Sequence, residues 1–190
     1  WTTSTSITPD FDLEFGKTYT WNVRAYDHLN NVGDWSSPRD FSRVDNIAPT
    51  SPTTLSFGTP TTIGGNLWVS SSVGSLSWSG ASDAQTGIDY YYTCLGAGSW
   101  STSSLDTSEY YTGLAQGKNT FEIRTYDKAG NYATKFLDVY LDTTKPSQVV
   151  TQETADSVIA RPTFSWLAAS DGSAGVGVKT YEVEVDSGLW

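Results

Sequence analysis

Thr20-Trp21-Asn22-Val23-Arg24-Ala25-Tyr26-Asp27 and Thr120-Phe121-Glu122-Ile123-Arg124-Thr125-Tyr126-Asp127 are one pattern written twice, 100 residues apart. Working outward, Leu13, Gly16 and Lys17 return as Leu114, Gly117 and Lys118, and Asp45 with Pro49 returns as Asp142 with Pro146. A second set, Leu76-Ser77-Trp78 followed by Ser82-Asp83, returns as Phe164-Ser165-Trp166 followed by Ser170-Asp171. Self-similarity of this kind marks a repeat architecture, here with a unit of roughly 90 to 100 residues. That is enough chain for one small two-layered domain.

The repeated segments read as strands. Tyr19, Trp21, Val23 and Ala25 alternate with Thr20, Asn22, Arg24 and Tyr26, which gives a period of two with one apolar face. Phe121 and Ile123 repeat that face, while Leu76 with Trp78 and Phe164 with Trp166 sit two apart. Tyr90, Tyr92 and Cys94 alternate, as do Tyr181, Val183 and Val185. Gly, Asn, Asp, Ser and Pro clusters separate the runs at hairpin-like intervals, and no stretch keeps a helical period. The fold class is all-β: tandem β-sandwiches.

Composition narrows the function. The chain of 190 residues carries 11 Lys and Arg against 21 Asp and Glu, a net charge of −10, so it lacks the basic clusters that phosphate contacts need. Its single Cys excludes an internal disulfide, and one Cys with one His cannot build a His/Cys zinc site. Aromatics at 14% are too abundant for a disordered segment. Uncharged stretches are Ser/Thr/Gly runs, which do not span a bilayer as helices.

The order Leu-x-x-Gly, Tyr-x-Trp-x-Val-x-Ala-x-Asp, an Asn-containing turn and a closing Asp-x-x-x-Pro resembles the end of a fibronectin type III or bacterial Ig-like repeat. Leu-x-Trp, Ser-Asp, a Gly-rich turn and a Tyr-rich strand resemble its front half. The resemblance covers nearly the whole chain and implies tandem Ig-like sandwiches of a large surface protein. Fold alone leaves function open, because function resides in sites carried on folds. Tyr19 suits the tyrosine corner of such sandwiches, whereas the matching place at Asn119 lacks a Tyr, and the stretch 58–74 is longer than the pattern requires.

The ends fall at one point of the repeat. Gly98-Ser99-Trp100 matches Gly188-Leu189-Trp190, and Trp1 with the Ser/Thr run after it matches Trp100 with 101–104. The expected division is therefore 1–47 as the C-terminal half of one sandwich repeat, 48–145 as a complete repeat, and 146–190 as the N-terminal half of a further one. Half a sandwich leaves an unpaired edge and an open core. Its complement is expected either from neighbouring repeats of a longer array or from another copy of the chain, giving a strand-complemented polymer.

Two groups of residues are candidates for binding. Asp27 with Asn31 and Asp127 with Asn131 stand four apart in acidic turns, and Asp45 and Asp142 precede the linker prolines. Calcium takes six to eight oxygens of this kind, so these six residues are the candidate Ca2+ ligands. Asp-x-x-Gly-Asn is also good turn chemistry without any metal. Trp35, Trp68 and Trp100, with Trp1 and Trp190, lie in polar, Gly/Ser-rich surroundings, where exposed rings would stack on a glycan. Packing on a neighbour is the other outcome for such rings. Trp21, Trp78 and Trp166 are expected in cores.

Catalytic patterns are absent from the sequence. His28 lies in an acidic turn without a Gly-x-Ser-x-Gly elbow, Cys94 reads as a buried thiol, and the glycines of 172–177 precede a strand where a phosphate loop would open a helix. The sequence therefore points to a non-enzymatic structural or adhesive module of an exported, extracellular and prokaryotic surface protein, acting as rigid spacer or assembly unit. The other reading is a carbohydrate-binding accessory region of an extracellular polysaccharide-degrading enzyme.

Overall fold

Alternating apolar and polar residues broken by turn formers produce strands, and among the described residues every regular element of the computed structural model is one. The structure describes residues 2–152, 163–185 and 188–189. Among the described residues there is no helix long and apolar enough to cross a membrane. Trp1 and Trp190 lie outside the described residues.

At the N-terminal end, β1 (Thr18–Trp21) pairs antiparallel with β2 (Arg39–Ser42), Tyr19 opposite Phe41. The central sandwich follows. Its first sheet has the order β3–β6–β8, from β3 (Thr54–Phe57), β6 (Gly74–Ser79) and β8 (Ser108–Tyr111). The second contains β4 (Thr61–Ile63), β5 (Asn66–Val69), β7 (Ile88–Leu95), β9 (Gly117–Asp127) and β10 (Tyr132–Leu141) in the order β4–β5–β10–β9–β7. The C-terminal part supplies two short antiparallel pairs. These are β11 (Val150–Thr151) with β12 (Trp166–Leu167), and β13 (Glu184–Val185) with β14 (Gly188–Leu189).

The long 58–74 stretch has a structural use. Ile63 pairs with Asn66 across Gly64-Gly65, both in the left-handed region with φ of 59° and 82°. A two-residue turn with positive φ at both positions matches the twist of the strands it joins, and glycine adopts it without a Cβ penalty. The hairpin lies wholly in the second sheet: the chain leaves the first sheet after β3 and returns to pair with it at β6, while β5 runs parallel to the end of β10.

The core lies between the two sheets. Phe57, Leu76, Phe121, Ile123 and Val139 are buried to within 1% of complete enclosure, and the Phe57 and Phe121 rings stack at 4.9 Å. Trp78 meets Tyr91 edge-on at 5.6 Å. Burial of each such side chain contributes about 1.5–3 kcal/mol against the chain entropy lost on folding.

One expectation about faces needs correction. Trp21, read as core, is 51% exposed, because β1 and β2 form a two-stranded sheet with no second layer over that side chain among the described residues. Its counterpart Phe121 is fully buried because β3, β6 and β8 cover it. On β7 the inward residues are Tyr91 and Thr93, one position off the Tyr90–Tyr92 face. Tyr90 and Tyr92 instead join Tyr126 of β9, whose ring stacks on Tyr90 at 4.8 Å and on Tyr132 at 5.1 Å. Cys94 is buried as expected, its thiol donating to the Gly98 carbonyl at 3.2 Å, and burial raises its pKa.

Candidate functional site

The acidic turns close on themselves. Asp127 Oδ1 accepts from the backbone N–H groups of Ala129 and Asn131, and Oδ2 accepts from Asn131 Nδ2 at 2.8 Å. Asp27 makes the same three bonds with Leu29 and Asn31. The Asn31 side-chain amide is the leading cause holding Asp27 below the ordinary carboxylate range. What differs is the setting. Asp27 and Asn31 are exposed, whereas Asp127 is only 1% exposed.

Asp127 is enclosed where the segment after β2 meets the loops of the central sandwich. Asn131 Nδ2 also donates to the carbonyls of Asp45 and Ile47, at 3.2 and 3.4 Å. Asp45 Oδ2 accepts from Thr86 Oγ1 at 2.7 Å. Asp83 completes the arrangement, its Oδ1 accepting from the amides of Gln85, Thr86 and Gly87. Burial opposes ionisation of Asp83, but those amides outweigh it and its pKa is lowered. Carboxylate oxygens of Asp45, Asp83 and Asp127 all lie within 4.8 Å of one another. Three like charges so close repel strongly unless a cation or proton joins them.

Of the six residues predicted from sequence as calcium ligands, this junction gathers Asp45, Asp127 and Asn131. Asp27 and Asn31 stay in their own turn. Asp142 belongs to the next junction, where Oδ1 accepts from Gln116 Nε2 at 2.8 Å and Oδ2 from the Val176 amide at 2.8 Å. That Val176 bond leads the causes holding Asp142 below the usual carboxylate range, with Gln116, Thr144 and the adjacent Asp171 adding to it and burial opposing it. Asp83 and Asp171 were not among the candidates. The signal that points to them is their repetition within Ser82-Asp83 and Ser170-Asp171.

Of the candidate glycan-stacking rings, Trp35, Trp68 and Trp100 each have a partner within the chain. The Arg24 guanidinium lies over Trp35 at 4.5 Å and that of Arg124 over Trp100 at 4.1 Å. Trp68 packs on Tyr140 at 5.1 Å. Arg24 and Arg124 are repeat counterparts but Trp35 and Trp100 are not, so each arginine meets a ring from a different place in the chain.

The corner residue decides what the unit is. The Tyr19 hydroxyl accepts from the Glu14 amide at 2.8 Å, five residues upstream. In the central sandwich Asn119 Oδ1 accepts from the Ala115 amide at 2.9 Å, so a shorter side chain serves the same upstream backbone group. With three strands facing the larger sheet, this completes the architecture.

The fold is all-β and Ig-like, similar to that of fibronectin type III repeats.

No family model matches the chain. Exoglucanase A of Cellulomonas fimi is 32% identical over 151 residues, which is 73% of this chain and 16% of that protein. This chain thus spans about a sixth of its curated relative. Among solved structures, the fibronectin(III)-like modules of Clostridium thermocellum CbhA match with a TM-score of 0.40 and 12% identity, over 66% of this chain and 62% of that one. The PKD1 domain of Vibrio anguillarum Epp matches with a TM-score of 0.33 and 18% identity, over 52% of this chain and all of that one.

Proposed function

We propose that these fibronectin type III-like repeats form a non-catalytic spacer in an exported, extracellular bacterial protein, holding what lies on either side at a set distance and angle. The observation that carries this reading is the junction. The linker carbonyls of Asp45 and Ile47 are bonded to Asn131, and the Asp45 carboxylate to Thr86. A linker anchored at three points cannot swing as a free one does. The second linker repeats the device, with Asp142 bonded to the Val176 amide.

Small-angle scattering on the chain and on an Asp45→Ala/Asn131→Ala variant tests this. The parent is expected to scatter as one elongated shape, and the variant as a broadened distribution. A parent already as broad as the variant would count against the spacer.

A second reading is favoured by the exoglucanase relative and by the partly exposed row of Tyr92, Trp100, Tyr126 and Tyr132. In that reading the row holds polysaccharide, with Trp35 and Trp68 as further stacking rings. Affinity electrophoresis in gels of cellulose derivatives and xylan separates the two: retardation lost in Trp100→Ala supports glycan binding, and unretarded migration leaves the spacer.

A further inference from the structure

The geometry points to a calcium ion as the third component of each repeat junction, held by Asp45, Asp83 and Asp127 at the first and by Asp142 and Asp171 at the second. This deepens the spacer reading and rests on it. Calcium–oxygen distances of about 2.3–2.6 Å let one ion touch oxygens up to roughly 5 Å apart. The three carboxylates of the first junction, mutually within 4.8 Å, fall inside that span.

The second junction supplies an independent sign. Asp171 is only 7% exposed, yet its Oδ1 is buried with no hydrogen-bond donor. Its other oxygen accepts from the Gly177 amide at 2.8 Å, and the Asp142 carboxylate lies beside it. A buried carboxylate oxygen without a donor, on a residue beside another carboxylate, is strongly unfavourable unless a cation or a proton is supplied. The ion pairs of the described residues are Lys17–Glu14, Lys118–Asp138 and Arg124–Glu122, and none of them reaches either junction.

The two junctions share one framework. Asp45 and Asp142 each accept from the amide two residues on, Ile47 at 3.0 Å and Thr144 at 3.0 Å. Thr50 donates to the Ser82 carbonyl at 2.8 Å, and Ser147 to that of Ser170 at 2.7 Å. Asp171 therefore stands where Asp83 stands, and its unpartnered oxygen marks a ligand position at the second junction. All the donors are carboxylate oxygens without His or Cys, a set suited to a hard cation.

Calorimetric melting of the whole chain in millimolar calcium and in chelator is the test, with calcium titration by isothermal calorimetry. Saturation is expected to raise the melting temperature by about 4 °C or more. The rise should shrink in Asp45→Asn and vanish in Asp45→Asn/Asp142→Asn, linker substitutions that leave the core intact. Equal melts with and without calcium would overturn the proposal. So would an equal rise with sodium chloride at matched ionic strength, since that reports screening alone. A junction that stays fixed by scattering in chelator, with no heat of calcium binding, overturns the ion and leaves the spacer. Calcium binding in a chain that scatters as a broad ensemble has the converse meaning.

Discussion

Asn131 donates its side-chain amide both to Asp127 Oδ2 within its own turn and to the Asp45 carbonyl 86 residues away, at 2.8 and 3.2 Å. One side chain therefore closes a loop of the central sandwich and anchors the linker before it. Asn131→Ala leaves a carboxylate oxygen of the buried Asp127 without that donor, a loss of about 1–3 kcal/mol. Asn31→Ala removes the same bond from an exposed turn and is expected to cost only a few tenths of a kcal/mol. Urea unfolding followed by tryptophan fluorescence compares the two. Equal losses would mean that the burial of Asp127 does not matter.

The turn and the strand pattern were legible in the sequence because local chemistry dictates them. Asp and Asn four apart make the same bonds at 27–31 and 127–131 whatever surrounds them. Burial is a long-range property and does not follow from the repeat. Trp21 and Phe121 occupy one position of the unit, but only Phe121 has a facing sheet among the described residues. The bulge between Ile88 and Tyr90 also shifts the register of β7, so the core-facing Ile88 and Tyr91 stand three apart, a spacing no alternation of two reveals. At the candidate site, Asp45 and Asp127 stood out because they flank prolines and turns. Asp83 lay hidden in a motif that looked like framework, and only the fold brings it to the other two.

The same contrast in burial gives a prediction for the core. Phe121 is enclosed by Phe57 and Tyr111, with ring centroids 4.9 and 5.0 Å away. Phe121→Ala is expected to destabilise the central sandwich by about 3–5 kcal/mol. Trp21→Ala, on the half-exposed face of β1, should leave the central transition within about 0.5 kcal/mol of the parent. Hydrogen exchange on β9 and β10 reports that sandwich alone. A large loss of protection there from Trp21→Ala would show that the β1–β2 pair is part of the same cooperative unit.

Acid sensitivity should reside partly in a cross-strand pair. Asp138 of β10 accepts from Thr120 Oγ1 at 2.7 Å and from Lys118 Nζ at 2.9 Å. Thr120 first, then Lys118, hold its pKa below the ordinary carboxylate value, and Lys118 is raised in turn. A depressed folded-state pKa contributes stability above the unfolded value of about 3.9, which is lost as pH falls through the folded value. Because both side chains are about half exposed, the contribution is only a few tenths of a kcal/mol. Asp138→Asn should therefore melt slightly below the parent at neutral pH and coincide with it once the parent's carboxylate is protonated. A gap that widens on acidification would give the pair the opposite sign.

Backbone conformation in the turn offers the last test. Asn30 has φ of 65° and its counterpart Gly130 has φ of 91°, both left-handed. Each donates its amide to the Asp carbonyl three residues back, at 3.0 and 3.2 Å, so the conformation is fixed by the same bond. A Cβ in this region costs roughly 1–2 kcal/mol, and Asn tolerates it better than Ala. No heavy atom lies within 4 Å of a Cβ built at Gly130, so sterics with neighbours play no part. Stability at position 130 should then rank Gly above Asn above Ala, with Gly130→Ala costing about 1 kcal/mol or more. At position 30 the Asn30→Gly change should be nearly neutral, and Asn30→Ala should cost less than Gly130→Ala because that turn is exposed and frays more readily. Chemical denaturation of the four variants gives the ranking. If Ala at 130 proved as stable as Gly, the turn would have to relax to negative φ, and the Asn131 bridge to Asp45 would be lost with it.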